Sequence, residues 1–178
     1  EIYDGARDIK GWTEAGCTAR QWKPVRKLDY DFSVLTGQGS GKVSLMDEVK
    51  PKEIFETPEG DLVIDFGQNM SALIQVTATG KKGDVIRLDC FEVLDSKGNV
   101  YLDNLRGAKE SLQYTFGEDG TITYRPSFTF MGFRYAKIVS FPGEPKLENF
   151  TANAIHTNME RTGFIETSNP DLNQLAHN

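Results

Sequence analysis

Long apolar runs are missing from this chain of 178 residues. No stretch nears the ~20 residues that a helix needs to cross a bilayer, so no membrane span is expected. Glu1-Ile2-Tyr3-Asp4 lacks the charged-then-apolar layout of a secretory signal. The chain does not start with Met, which reads as a mature product or an excised piece. Cysteine and histidine are scarce: Cys17, Cys90, His156 and His177 are all there is. Two distant cysteines allow one disulfide at most, and two buried or partly buried free thiols are the expectation. Four such scattered residues make no zinc site, and His177, beside the chain end, is a poor base for a nucleophile. Basic charge is also short, with 20 Lys and Arg against 26 Asp and Glu and a net charge of −6. No local basic run reverses this, which argues against a nucleic-acid partner. The glycine-rich Thr36-Gly37-Gln38-Gly39-Ser40-Gly41 lacks the Lys-Ser/Thr ending of a phosphate loop and opens no helical pattern. It reads as a flexible connection.

What is present is enough apolar material for a core, 38% hydrophobic and 11% aromatic. From Val43 onward its spacing has the period of strands. Asp61–Phe66 is a short run closed by Gly67; Ala72–Ala78 follows, with a turn at Gly80–Asp84. Val85–Phe91 alternates apolar with polar, as do Leu112–Phe116, Thr121–Tyr124, Tyr135–Val139 and Ala152–Ile155. Period-two alternation buries one side of each strand. Short strands at near-regular spacing, parted by Gly- and Asp-containing turns, predict an all-β fold, an antiparallel sandwich or barrel. Only at the end does a helix signal appear, where Ser168 or Asn169 as N-cap precedes Pro170, Leu172 and Leu175.

Four segments in order resemble the bacterial α-L-rhamnosidases of the large inverting glycoside hydrolase family. They are Val63-Ile64-Asp65-Phe66-Gly67-Gln68-Asn69; Phe91-Glu92-Val93-Leu94 with Gly98 and Asp103-Asn104-Leu105-Arg106; the stretch Tyr124–Tyr135; and Thr162-Gly163-Phe164 with Ser168–Asn173. Tyr3-Asp4, Gly11-Trp12 and Trp22-Lys23-Pro24-Val25 resemble the end of a preceding accessory domain of such enzymes. Departures from the family pattern fall at Met131, Leu112 and Ser71-Ala72, and bear on local polar contacts. The resemblance implies a jelly-roll, concanavalin-like sandwich over residues 43–158. Residues 1–42 would end the preceding β domain, and 159–178 would lead into a catalytic (α/α)6 barrel. That barrel, which would carry the acid and base, is the expected partner, and this stretch alone is expected to be inactive. Enzymes of this type are often exported, so the periplasm or exterior is the expected compartment.

Each chemically interesting residue has a structural reading beside a functional one. Carbohydrate contacts with rhamnose-containing glycans, as in a lectin-like module, are assigned to Gln68, Asn69, Asp103, Asn104, Arg106 and Arg134. Planar amides and guanidinium groups suit paired hydrogen bonds to sugar hydroxyls. The structural reading makes Arg134 the partner of a carboxylate, stacked on a ring, and makes Gly67-Gln68-Asn69 a turn. Asp89, Glu92, Asp95, Asp103 and Asn104 supply oxygens for calcium, but without EF-hand spacing solvated loop acids are the expectation. Trp12 and Trp22 suit a sugar platform or inter-domain packing. Phe128 and Phe130 are placed on one strand face, with Phe133 beyond the Gly132 bend.

Overall fold

A computed structural model describes residues 1–17 and 22–177. Its strands are β1 (Ile2–Asp4), β2 (Val43–Val49), β3 (Glu53–Glu56), β4 (Leu62–Gly80), β5 (Val85–Phe91), β6 (Val93–Leu94), β7 (Val100–Tyr101), β8 (Ser111–Thr115), β9 (Gly120–Tyr124), β10 (Met131–Ser140) and β11 (Phe150–Thr157). The single α-helix among the described residues is α1 (Pro170–His177). Hydrogen bonding links nine strands in the order β1-β8-β5-β10-β4-β11-β2, with β3 and β9 also paired to β4. β6 and β7 form a separate hairpin. All pairs are antiparallel except β1 with β8. The predicted all-β sandwich is the observed class.

The organising element is β4, 19 residues long. The sequence suggests two strands parted by a turn at Gly67; the structure runs them together. β10 pairs with β4 on both sides of that glycine, at Val63–Asp65 and again at Met70–Ala72. The other partners share out the length: β3 takes Leu62–Asp65, β11 takes Ala72–Val76 and β9 takes Val76–Gly80. Strand twist accumulates along so long an element, so the sheet curls around it. The core is the face carrying Ile64, Phe66, Ala72, Ile74, Val76 and Ala78, packed against Ile86, Leu88, Leu112, Phe133 and Phe150. Each large apolar side chain fully removed from water there contributes roughly 1.5–3 kcal/mol. On the opposite face, Val63, Phe91 and Tyr135 make a small second cluster, joined by Phe55 and by Leu94 and Val100 of the β6–β7 hairpin.

Two further expectations need correction. Phe128 and Phe130 do not share a strand; both lie in the loop between β9 and β10, 94% and 61% exposed. The reason is distant in sequence. The Glu1 carboxylate accepts the Phe128 N–H at 2.9 Å, the Ser127 N–H at 3.2 Å and the Tyr124 hydroxyl at 2.5 Å. Backbone groups spent on that carboxylate cannot join a ladder. Cys17 is exposed rather than buried, whereas Cys90 is buried; both are free thiols. Burial pushes the Cys90 thiol far above its ordinary pKa, so it packs as a small apolar side chain. Near the start of the chain, Ile2–Asp4 pairs in parallel with Gln113–Thr115 of β8. At the other end Asn169 caps α1 as the sequence suggests, its Oδ1 accepting the Asp171 N–H at 2.9 Å, with Pro170 as first helical residue. No helix among the described residues is long and apolar enough to cross a membrane.

Candidate functional site

The candidate residues gather where β4 and β10 lose register. Between Phe133 and Tyr135 on β10, the partner positions jump from Met70 to Asp65 on β4. Gly67 sits in this bulge at φ 86°, a conformation that side-chain-bearing residues disfavour. Asp65 holds the bulge from within: its Oδ1 accepts the Gly67 N–H at 2.6 Å. Arg134 closes on the same carboxylate with two bonds, Nε to Oδ1 at 2.9 Å and Nη2 to Oδ2 at 2.7 Å. Its guanidinium also lies 4.8 Å from the centre of the Tyr135 ring. Burial works to raise the Asp65 pKa, but the bonds from Arg134 and Gly67 and the Arg134 and Lys52 charges outweigh it and hold the carboxyl below its ordinary value. Arg134 is therefore committed to a carboxylate and a ring.

A second knot lies beside the first. The Glu92 carboxylate, just beyond β5, accepts from two amides: Asn69 Nδ2 at 3.1 Å and Asn104 Nδ2 at 2.7 Å. It ties the β4 bulge to the turn of 3-10 helix at Asp103–Leu105. Gln68, Asp103 and Arg106 are exposed, and none makes a side-chain hydrogen bond or ion pair among the described residues. Arg106 follows the turn at φ 50°, the only described non-glycine residue with positive φ. The six predicted residues thus divide three ways: Arg134 on Asp65, Asn69 and Asn104 joined through Glu92, and three side chains free in solvent.

The other acids considered for calcium are engaged separately. Asp89 pairs with Arg87 and accepts from the Ser111 hydroxyl, while Asp95 accepts the Lys97 and Asn99 N–H groups of its own turn. Among the described residues no three His, Cys, Asp or Glu side chains stand together so as to hold a metal.

Glu110 belongs to this neighbourhood and was not legible in the sequence, since a lone Glu before a strand looks like any surface acid. Its Oε2 is buried without a hydrogen-bond partner. Burial first, then the Glu92 charge, push its pKa up against an opposing bond from the Gly132 N–H. A carboxyl whose folded pKa is raised ionises first in the unfolded state as pH rises, so ionisation favours unfolding. Glu110→Gln keeps the acceptor for Gly132 and removes the charge that burial and Glu92 oppose. We expect urea midpoints to show the variant about 1 kcal/mol more stable at neutral pH. The gain should vanish in acid below about pH 4, where Glu110 is protonated in both states. An equal difference at both pH values would contradict this origin.

The curled antiparallel sheets make the class of the domain an all-β sandwich. The family model described as the bacterial alpha-L-rhamnosidase concanavalin-like domain matches residues 55–156. The chain belongs to that family. It is 37% identical to an alpha-L-rhamnosidase of Streptomyces avermitilis over 179 aligned positions, covering all of this chain and 17% of that protein. The crystal structure of the Streptomyces avermitilis enzyme complexed with L-rhamnose superposes with a TM-score of 0.87 over 98% of this chain. That of native Aspergillus terreus alpha-L-rhamnosidase gives 0.88 at 32% identity, over 98% of this chain and 21% of the other. The chain spans 17% to 20% of the length of the curated relatives it matches.

Proposed function

We propose that this chain is a supporting, non-catalytic sandwich of a longer α-L-rhamnosidase, whose catalytic domain hydrolyses terminal α-L-rhamnosyl residues. The carrying observation is that the whole chain matches about a sixth of such an enzyme at 37% identity. In this reading residues 43–158 form the supporting sandwich. Residues 1–42 complete a preceding β domain while lending Ile2–Asp4 to this one, and 159–178 lead toward the catalytic barrel, the partner of the sandwich. The site is consistent with support: the Asp65–Arg134 pair fixes a strand bulge, and Glu92 cross-links two loops. We expect the 178-residue chain to release no nitrophenol from p-nitrophenyl α-L-rhamnoside above the uncatalysed rate. Turnover by the pure chain would overturn the reading.

A second reading has one observation in its favour, the exposed and uncommitted Gln68, Asp103 and Arg106 around the Glu92 hub. There the same cluster, with calcium as an added ligand, would hold rhamnose-containing glycans in the manner of a lectin. Its mark is calorimetric binding of L-rhamnose that chelator abolishes and Asn104→Ala weakens.

A further inference from the structure

Where β4, β11 and β2 lie side by side, one face of the sheet meets the core through Ala72, Ile74 and Ala152. The residues that alternate with these face outward. Leu73 stands opposite Asn153, Ile155 opposite Leu45, and Thr157 opposite Val43, so Leu73, Ile155, Leu45 and Val43 share the outer face. The loop between β9 and β10 folds against them and adds Phe128 and Phe130. Together the six line a recess of about 360 Å³.

Apolar residues scattered singly over a surface are ordinary, whereas a convergent patch marks a contact. Here Phe128 is 94% exposed, Val43 62%, Phe130 61% and Leu45 47%. The loop that carries the two rings is also held in place. The Glu1 carboxylate accepts the Ser127 and Phe128 N–H groups, so little freedom is lost when the rings are covered. No charged side chain lines the recess, whose other residues are Ser44, Ser127 and Thr129. Its counterpart is therefore apolar, because a charge buried there without a partner is costly.

The place of the patch in the fold points to the counterpart. β2 is the outermost strand, and β11 leaves the sheet beside it: Thr157 is the last paired residue, and the Asn158 N–H bonds the Lys42 carbonyl. From the rim of the patch the chain runs on to α1, whose Leu172 and Leu175 are turned to solvent as an apolar stripe. The chain covers 17% of the Streptomyces avermitilis relative, so most of such an enzyme lies outside it. A helical domain that continues from α1 starts close to this face.

We propose that Phe128 and Phe130, with Val43, Leu45, Leu73 and Ile155, are the seat of the catalytic domain in the longer enzyme and receive an apolar face of its helices, a step that rests on the supporting role proposed above. Photo-crosslinking in the longer enzyme tests it. Phe128→p-benzoylphenylalanine places the reactive ketone on an exposed side chain and leaves the core untouched. After irradiation and digestion, the expected cross-link joins this position to a peptide C-terminal to residue 178. A cross-link to residues ahead of Glu1, between two copies or only within the 178 residues overturns the seat, as does none at all. The supporting role survives any of these, and turnover by the 178-residue chain alone is what removes it. A second measurement combines Phe128→Asp with Phe130→Asp. The 178-residue chain should keep its urea midpoint, since both side chains are exposed. In the longer enzyme the same pair should shorten the half-life of rhamnosidase activity on warming by about fivefold or more, because two carboxylates would face an apolar surface. Equal half-lives overturn the seat.

Discussion

Arg134→Ala should lower the unfolding free energy of this domain by about 3 kcal/mol, the low end of what breaking a buried ion pair costs. The low end applies because the Asp65 side chain is 8% exposed but that of Arg134 is 39% exposed. The cost arises on the carboxylate, which keeps its place in the bulge through the Gly67 N–H but loses both guanidinium bonds. Arg134→Lys should recover only part of it, since an ammonium cannot reproduce the two-pronged contact. Removing Asp65 as well should cost less than the two single changes summed, the coupling expected of residues in contact. Acid gives an independent check. Because the folded Asp65 pKa is lowered, its contribution is complete above the unfolded carboxyl value and fades as pH falls through the folded one. The gap between wild type and Arg134→Ala should therefore be widest at neutral pH and narrow in strong acid. Urea denaturation of wild type, the three single variants and the double variant across pH reads all of this. A single-variant loss under about 0.5 kcal/mol would reduce the pair to an ordinary surface contact.

That bulge also shows where the sequence was readable and where it was not. Apolar alternation over Ala72–Ala78 and Val85–Phe91 located strands correctly, because a half-buried strand imposes its period on the residues themselves. Gly67-Gln68-Asn69 looks locally like the end of a strand, since glycine at positive φ serves turns and bulges alike. What makes it a bulge is β10, whose positions on either side of Arg134 pair with β4 more than sixty residues away. The same holds for the candidate site. Arg134 could be matched to a carboxylate in general terms, but its choice of Asp65 is a fact of register. Asn69 beside a strand end and Asn104 in an oxygen-rich loop stand out in the sequence as amides; Glu92 as the acceptor joining them, and Glu110 as a buried acid, depend on packing. Glu1 is the extreme case, an unremarked first residue that takes three donors from Tyr124, Ser127 and Phe128.

Phe133→Ala should be the most damaging single change in this stretch, at about 3–5 kcal/mol. Its neighbours Phe128 and Phe130 should each fall within about 0.5 kcal/mol of wild type when truncated. All three are phenylalanines within six positions of one segment, so composition and spacing do not separate them. The structure does. Phe133 is 0% exposed and meets Phe66 edge-on, centroids 5.4 Å apart and planes at 72°. It lies on the core side of β10 directly before the bulge, while Tyr135 directly after it belongs to the opposite cluster. Register is thus what assigns Phe133 and Tyr135 to different cores, and a cavity at Phe133 opens beneath the point where Asp65 and Arg134 hold β4 to β10. The two losses should therefore be coupled: Phe133→Ala with Arg134→Ala should depart from the sum of its parts. Urea midpoints of the three Phe→Ala variants test the ranking directly. Equal losses at Phe128 and Phe133 would mean that the loop, not the strand, carries the packing, and the bulge would lose its place as the hinge between the two clusters.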